Sequence, residues 1–279
     1  MESEVALYVS VVGAVSLTFA GLIGLSQTDF KRVIAFSTIS QVGYIVIGCG
    51  VGAFQASIFM LYTHAFYKSL LFLGAGAVIH ATANIQDTRS IGGEGIYLPV
   101  TKVLFLAASL ALGASPFTSG DFSKDVLIEL VSSSQFSSKN IFWMVAVGGT
   151  ALTATYSGRL LRLVFAAEIR GSLPTPQHDL PFFVATALCL LASFSVAGGF
   201  LIAGVFELGL LFSLADTPGT STIMAVEYQV LSHIILIPLL CGGMGLLAGA
   251  GNPGTTCILP SRRTCAYSSV VVASRTLGG

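Results

Sequence analysis

A 28-residue stretch, Phe54–Ala81, constrains the fold of this chain more than any other feature. It is too apolar for a helix that faces water, and it carries a lysine, Lys68, close to its middle. As one continuous helix it would measure about 42 Å, whereas the hydrocarbon layer of a bilayer is about 30 Å thick. The stretch therefore predicts a membrane-spanning helix that tilts, bends or extends into the next loop, with Lys68 at membrane depth.

An ionisable side chain at that depth indicates a function. A charge at mid-membrane costs several kcal/mol on insertion scales and is tolerated where it faces protein or internal water. His64 lies one helical turn before Lys68 and is predicted on the same helix face. Because burial disfavours the charged form of a lysine, an amine placed there can take up and release protons.

Lys68 and His64 could also have purely structural roles. Lys68 would only fix the packing of the helices if it paired with a buried carboxylate, although its own span contains no acidic residue. His64 would be an ordinary buried histidine if its neighbours satisfied its hydrogen bonds. A haem bound between His64 and His80 is not favoured, because the two lie about four turns apart on one helix and cannot grip the same iron.

The composition places the whole chain in a membrane. Hydrophobic residues make up 54% of the sequence and charged residues only 9%, against about 25% charged residues in soluble domains. The net charge is zero, which gives no indication of a nucleic acid partner. The five cysteines include no C-x-x-C pair, so neither a disulfide framework nor a metal site is predicted.

These features predict an all-α fold, a polytopic membrane helix bundle with about seven transmembrane spans. The predicted spans cover residues 4–25, 33–51, 54–81, 99–130, 141–165, 181–205 and 230–250. We divide the chain into a five-span unit at 1–170, two further transmembrane helices at 171–250 and a polar tail at 251–279.

The fourth span is predicted to be broken. Pro116 and Gly120 interrupt two apolar half-segments, and both residue types end or kink helices. Lys124 and Asp125 are predicted in the gap, where freed backbone groups can bond a charge held at membrane depth. If the break lies at the surface instead, Lys124 and Asp125 are simply loop residues at a helix end.

The basic residues predict the orientation. With the intramembrane Lys68 and Lys124 set aside, one side of the seven-span arrangement collects ten basic residues and the other only Lys139. Basic loops face the inner side of a membrane. The N-terminus is therefore predicted on the outer side, and the loops after spans one, three, five and seven on the inner side.

Four blocks of sequence carry a family resemblance. They read QTDFKRVIAFSTISQVGY at 27–44, THAFYKSLLFLGAG at 63–76, QDTRSIGG at 86–93 and SGDFSKD at 119–125. In this order they resemble the NADH dehydrogenase subunit 5 family. Its members are antiporter-like, proton-pumping subunits of respiratory complex I, and they are similar to Mrp-type sodium/proton antiporter subunits. The resemblance covers about residues 12–200.

The resemblance implies a fold and a missing half. The family has two inverted repeats of five helices, each with one broken helix, and residues 1–170 look like the second repeat. The first repeat is expected on a separate chain, as the N-terminal half of a split subunit 5.

The resemblance also implies site residues. Lys68 looks like the central proton-carrying lysine, with His64 as its relay neighbour. Lys124 resembles the broken-helix lysine that passes protons toward the outer side, with Asp125 as its adjacent carboxylate. Lys31 looks like a motif lysine near the inner end of span two, although it also fits an ordinary charged inner loop.

Asp121 departs from the family, in which an aromatic residue is usual at this position. A carboxylate one turn before Lys124 could hold that lysine charged. The departure therefore raises the question of whether the outer part of the path works here as it does in the family.

The resemblance implies proton translocation in NADH:ubiquinone oxidoreductase of the mitochondrial inner membrane. Protons would enter from the inner face, reach Lys68 through His64, pass to Lys124 and leave outward. No cofactor is expected in this chain, because the sequence has no Walker motif, flavin fingerprint or cysteine cluster. FMN, iron–sulfur clusters and quinone are expected in partner subunits, so the chain would belong to an enzyme without doing redox chemistry itself.

The expected partners are membrane lipids and other complex I membrane-arm subunits, especially the neighbouring antiporter-like subunit 4, and no nucleic acid. Two alternatives remain open. The chain could be an Mrp-type cation/proton antiporter subunit without redox partners, or a structural subunit that has lost transport.

Overall fold

The computed structural model describes residues 3–82, 84–93, 97–134, 138–166 and 181–207, in which helices are joined by short loops and no β-strand is formed. The helices are α1 (Ser3–Ser26), α2 (Phe30–Val51), α3 (Phe54–Ala81), α4 (Pro99–Leu112), α5 (Ser119–Ser133), α6 (Lys139–Leu161) and α7 (Phe182–Glu207). Four of these, α1, α2, α3 and α7, are long and apolar enough to cross a membrane. The predicted all-α membrane bundle is confirmed, while the predicted span 230–250 and the tail lie outside the described residues.

Helices α1 and α2 pack more closely than any other described pair. A Cβ atom added to Gly43 would lie 2.7 Å from the backbone nitrogen of Leu17, and one added to Gly13 would lie 2.7 Å from that of Ile47. Ser40 also donates a hydrogen bond to the Leu17 carbonyl at 3.1 Å. Glycine lets the two backbones touch, which is how helices associate where hydrocarbon offers no hydrophobic driving force.

Helix α3 lies at the centre of the bundle and packs against α2, α4, α5 and α7. Its buried face includes both His64 and Lys68 among apolar and small residues. Helix α6 closes the other side against α1, α2, α4 and α5. The lysine-bearing face of α3 is therefore covered by protein.

The break between α4 and α5 is narrower than predicted. Helix α4 ends at Leu112 and α5 begins at Ser119, so Lys124 and Asp125 lie within the first two turns of α5. The predicted position of these two residues in the gap is wrong. The backbone reverses at Phe117, whose φ is 66°, and Thr118 then adopts an extended conformation that starts the new helix.

Two side-chain features explain the early start of α5. The carboxylate of Asp121, in its first turn, accepts a hydrogen bond from the Phe117 amide at 3.2 Å, which occupies a backbone donor that the break leaves free. A Cβ atom added to Gly120 would lie 1.7 Å from the carbonyl oxygen of Ala111, so the start of α5 presses against the last turn of α4. Only glycine fits that contact.

The α1–α2 connection and the α3–α4 loop are tied together at one end of the bundle. The amide of Phe30 donates to the Gln86 carbonyl at 2.9 Å. The Thr88 amide and hydroxyl both donate to the Thr28 carbonyl, at 2.9 and 2.7 Å. Two of the sequence blocks that carry the family resemblance therefore meet here as a short backbone bridge.

Basic side chains collect at this same end, which we call the basic end. The guanidinium of Arg159, in the last turn of α6, donates to the Leu25 carbonyl at the end of α1. The described basic residues at this end are Lys31, Arg32, Arg89, Lys102, Arg159 and Arg162. Lys139 begins α6 at the opposite end, which we call the far end. The clustering expected from the sequence is confirmed for these residues.

Candidate functional site

Lys68 is held by uncharged acceptors. Its side chain is buried, and its ammonium donates to the hydroxyl of Ser37 and, at 3.5 Å, to the carbonyl of Ile34. Both acceptors belong to α2. No carboxylate forms an ion pair with Lys68 within the described residues. The observed contacts therefore give no support to a lysine locked in place by a buried acid.

Lys124 is the second buried amine. Only 2% of the residue is exposed, and its ammonium makes no hydrogen bond with the residues that the structure describes. It lies over the ring of Tyr44, with Nζ 4.6 Å from the ring centroid. A cation over an aromatic face is stabilised by about 2 kcal/mol when it is desolvated. The Tyr44 hydroxyl donates to the Ala146 carbonyl at 2.7 Å, which holds the ring in place.

The two amines belong to one electrostatic site. The charges of Lys68 and Lys124 are close enough to interact, and Lys124 also interacts with the carboxyl group of Asp125 beside it. Two like charges at one buried site oppose each other, so a proton on one amine affects the proton on the other. This coupling is what a stepwise transfer of charge needs.

His64 lies one turn from Lys68, toward the far end of the bundle, because α3 runs from the far end to the basic end. The residue is buried, and its Nε2 atom makes no hydrogen bond with described residues. At the same level, the hydroxyl of Thr63 donates to that of Ser123 at 2.8 Å. Helices α3 and α5 therefore touch between His64 and Lys124.

The acidic residues of α5 form a row. The carboxyl groups of Asp121 and Asp125, one turn apart, are close enough to interact electrostatically. Glu129 follows one turn further on, toward the far end. It is 7% exposed, and its Oε1 atom has no hydrogen-bond partner among the described residues. The sequence reasoning missed Glu129, although the spacing 121, 125, 129 could have indicated it.

Lys31 is not part of this cluster. It is exposed in the first turn of α2 at the basic end, where its own amide is bonded by the helix-capping carboxylate of Asp29 at 3.0 Å. The structure thus brings together Lys68, Lys124 and Asp125, with His64 and Asp121 about one turn away, and leaves Lys31 at the surface.

A column of uncharged polar side chains, also missed from the sequence, runs between α2 and α6. The Gln41 amide nitrogen donates to the Thr153 hydroxyl at 3.2 Å. The Gln41 carbonyl oxygen and the Tyr156 hydroxyl are buried without hydrogen-bond partners in the described part of the chain. In α2 the spacing 37, 41, 44 places Ser37, Gln41 and Tyr44 on one helix face, which was the available signal.

The described residues contain no cluster of three His, Cys, Asp or Glu side chains that could hold a metal ion. The chemistry available to this site is proton transfer among amines, imidazole, carboxyl groups and hydroxyls. These are the groups that carry protons in membrane pumps and transporters.

Comparison with known proteins agrees with this architecture. The sequence model of the NADH:quinone oxidoreductase/Mrp antiporter transmembrane family matches residues 1–153. The matched segment includes all six candidate residues named from the sequence. A solved structure of the membrane-bound sulfane sulfur reductase, an archaeal respiratory membrane complex, superposes over 76% of this chain and 42% of that chain, with a TM-score of 0.61 and 22% identity. This likeness concerns the fold alone.

Relatives of higher identity are longer proteins. The chain is 40% identical over 234 residues to NADH-ubiquinone oxidoreductase chain 5 of Aspergillus niger, which covers 81% of this chain and 36% of that protein. It is 39% identical over 246 residues to the protein of the same name from Marchantia polymorpha, covering 86% of this chain and 37% of that one. It thus spans little more than a third of these relatives. The match over residues 1–153 shows that the chain belongs to the NADH:quinone oxidoreductase/Mrp antiporter transmembrane family.

Proposed function

We propose that this chain is a proton-translocating membrane subunit of a mitochondrial NADH:ubiquinone oxidoreductase, corresponding to part of chain 5. The observation that carries the proposal is the pair of buried, electrostatically coupled amines, Lys68 and Lys124, neither of which forms an ion pair in the described part of the chain. An unpaired amine at membrane depth is costly and is expected where charge has to move. The names of the fungal and plant relatives support the assignment to this enzyme.

The geometry favours a different order of transfer from the one expected on sequence grounds. His64 lies on the far-end side of Lys68, so a proton arriving from the basic end meets Lys68 before His64. We propose the order Lys68, then His64, then Lys124. The row Asp121, Asp125 and Glu129 continues along α5 toward the far end. With the basic end on the inner side of the membrane, this direction is outward.

Proton movement would be driven from outside this chain. FMN, iron–sulfur clusters and quinone are proposed to reside in partner subunits, and the rest of the chain 5 sequence in a partner that packs beside this segment. The neighbouring antiporter-like subunit 4 is the proposed next unit in the membrane arm. Lys31, exposed at the basic end, is proposed to act only at the entrance to the path.

Substitution of Lys68 tests the proposal. Lys68→Met removes the amine and keeps a long apolar side chain, so the complex should assemble and pump fewer protons per NADH oxidised. Lys102→Met makes the same change at an exposed lysine in the first turn of α4 and should pump normally. The measurement is proton uptake or release per NADH in vesicles with the reconstituted complex. Normal stoichiometry in an assembled Lys68→Met complex would refute the role of Lys68.

The family description also includes Mrp antiporters, so a cation/proton antiporter subunit is the second candidate. Native separation of the complex with identification of the co-migrating chains distinguishes the two. Flavoprotein and iron–sulfur subunits in the same band support the oxidoreductase. Their absence, together with sodium-dependent proton exchange, supports the antiporter.

A further inference from the structure

A narrow cleft opens at the basic end between α1, α2, α6 and the α3–α4 loop. The space that the centre of a water molecule can occupy in it is about 10 Å³, and its lining includes Gly24, Gln27, Thr88, Tyr156 and Arg159. A cavity needs about 10–15 Å³ of such space to hold one water molecule. This cleft therefore suits a single water rather than an organic ligand.

Tyr156 separates the cleft from the interior. The residue is 2% exposed, and its ring borders the cleft beside Gly24, whose added Cβ atom would lie 3.7 Å from the ring. Its hydroxyl lies deeper, near the side chains of Ser37, Gln41 and Thr153, but makes no hydrogen bond within the described residues. A buried polar group without a partner costs about 1–3 kcal/mol, and such groups are commonly satisfied by internal water.

The side chain of Ser37 lies between Tyr156 and the amine of Lys68. Its hydroxyl donates to the Ile34 carbonyl at 2.7 Å and accepts the hydrogen bond from the Lys68 ammonium. The carbonyl oxygen of Gln41, on the same face of α2, is likewise buried and unbonded in the described part of the chain. The polar groups of Tyr156, Gln41 and Ser37 thus lie between the cleft and Lys68, and a bridging water would complete the connection from Tyr156 to Ser37.

We propose that this cleft, with Tyr156 at its floor, is the proton inlet that loads Lys68 from the basic end. The inference rests on the proposed function and adds the entry side of the path. Each transfer conserves atoms. A proton from the inner side, carried into the cleft as a hydronium ion, passes to the Tyr156 oxygen and leaves water behind, while the Tyr156 hydroxyl releases its own proton toward Ser37. The Ser37 hydroxyl turns from the Ile34 carbonyl toward the neutral Lys68 amine and gives its proton there, so that the amine becomes an ammonium. Both hydroxyls end unchanged.

The ligand of the cleft is water and the transported species is a proton. Among the described residues, its lining contains no carboxylate and includes the guanidinium of Arg159. A dehydrated metal cation needs several oxygen ligands, usually with carboxylates among them. Hydroxyl groups, in contrast, both donate and accept protons.

Removal of one oxygen atom tests the inlet. Tyr156→Phe keeps the ring and deletes the hydroxyl, so the part of proton pumping that depends on Lys68 should fall about tenfold or more. Tyr62→Phe makes the same change at a tyrosine that is 45% exposed on α3 and should pump normally. Both are measured as protons per NADH in vesicles carrying the whole complex, with Lys68→Met defining the Lys68-dependent part.

Filling the cleft tests it independently. Gly24→Leu places a side chain in the cleft and should slow pumping to a similar extent. Gly148→Leu in α6 should not, because an added Cβ atom there has no atom of the described residues within 4 Å. If Tyr156→Phe and Gly24→Leu both pump normally while Lys68→Met does not, the inlet is refuted and the proposed function stands. If Lys68→Met pumps normally, the proposed function fails. If Gly24→Leu does not assemble on a native gel, Tyr156→Phe alone decides.

Discussion

Replacing Gly43 with alanine should push α1 away from α2. The added Cβ atom would lie 2.7 Å from the Leu17 nitrogen and 2.9 Å from the Gly13 carbonyl oxygen, and both are backbone atoms that no side-chain rotation can move. Ordinary contacts begin at 3.4 Å, so the helices must separate by about 0.7 Å. The separation also stretches the hydrogen bond from Ser40 to the Leu17 carbonyl.

The expected loss of stability at the α1–α2 contact in Gly43→Ala is the difference between two opposing effects, overpacking and helix propensity. Overpacking costs about 1–3 kcal/mol, and the higher helix propensity of alanine returns up to about 1 kcal/mol. A net loss of about 1–2 kcal/mol corresponds to a roughly 5- to 30-fold increase in local opening. Gly76→Ala in α3 is the matched control, because no atom of the described residues lies within 4 Å of its added Cβ atom and only the propensity gain remains.

Hydrogen exchange read by mass spectrometry measures this opening helix by helix, which suits an assembly too large for two-state unfolding. Backbone amides of α1 should exchange faster in Gly43→Ala and at the wild-type rate, or more slowly, in Gly76→Ala. Wild-type exchange of α1 in Gly43→Ala would show that the two backbones do not touch at this glycine, and the packing argument would be wrong.

Two further predictions concern contacts that join separate helices or loops. In a double-mutant cycle, Thr63→Val and Ser123→Ala should each destabilise the α3–α5 contact by about 1 kcal/mol, and the two changes should be coupled by about 0.5–1.5 kcal/mol. The contrary result is that the two substitutions have additive effects on the hydrogen exchange of the α3 and α5 amides. In the α3–α4 loop, the hydrogen-bonded Arg89 guanidinium holds the pKa of Asp87 below its usual range. This exposed ion pair stabilises the folded loop by under about 1 kcal/mol. The stabilisation is fully present above the pKa of Asp87 in the unfolded chain, about 3.9, and is lost as the pH falls through the lower pKa of Asp87 in the folded protein. The hydrogen exchange of the loop amides, corrected for intrinsic rates, should therefore stay constant from pH 5 to 8. A loss of protection already near pH 6 would contradict the assignment of this stabilisation to Asp87.

Hydropathy and composition were sufficient for the architecture. An apolar stretch of helical length must form its backbone hydrogen bonds within itself in lipid, so α1, α2, α3 and α7 were found near their observed limits. The same reasoning placed Lys68 at membrane depth and collected the basic residues at one end. The family resemblance supplied Lys124 and Asp125, although their position relative to the break depended on where α5 starts, and the capping role of Asp121 and the contact at Gly120 decided that.

Only the tertiary structure showed which polar residues meet. Ser37, Gln41 and Tyr156 are single polar residues in apolar helices, and nothing in their local sequence tells whether they face lipid, a neighbouring helix or a cleft. Their meeting depends on how α2 and α6 rotate against each other, which side-chain packing across the whole bundle determines. The order of Lys68 and His64 along the proposed path likewise depends on the direction of α3 relative to the basic end, a property of the assembled helices that helical periodicity does not contain.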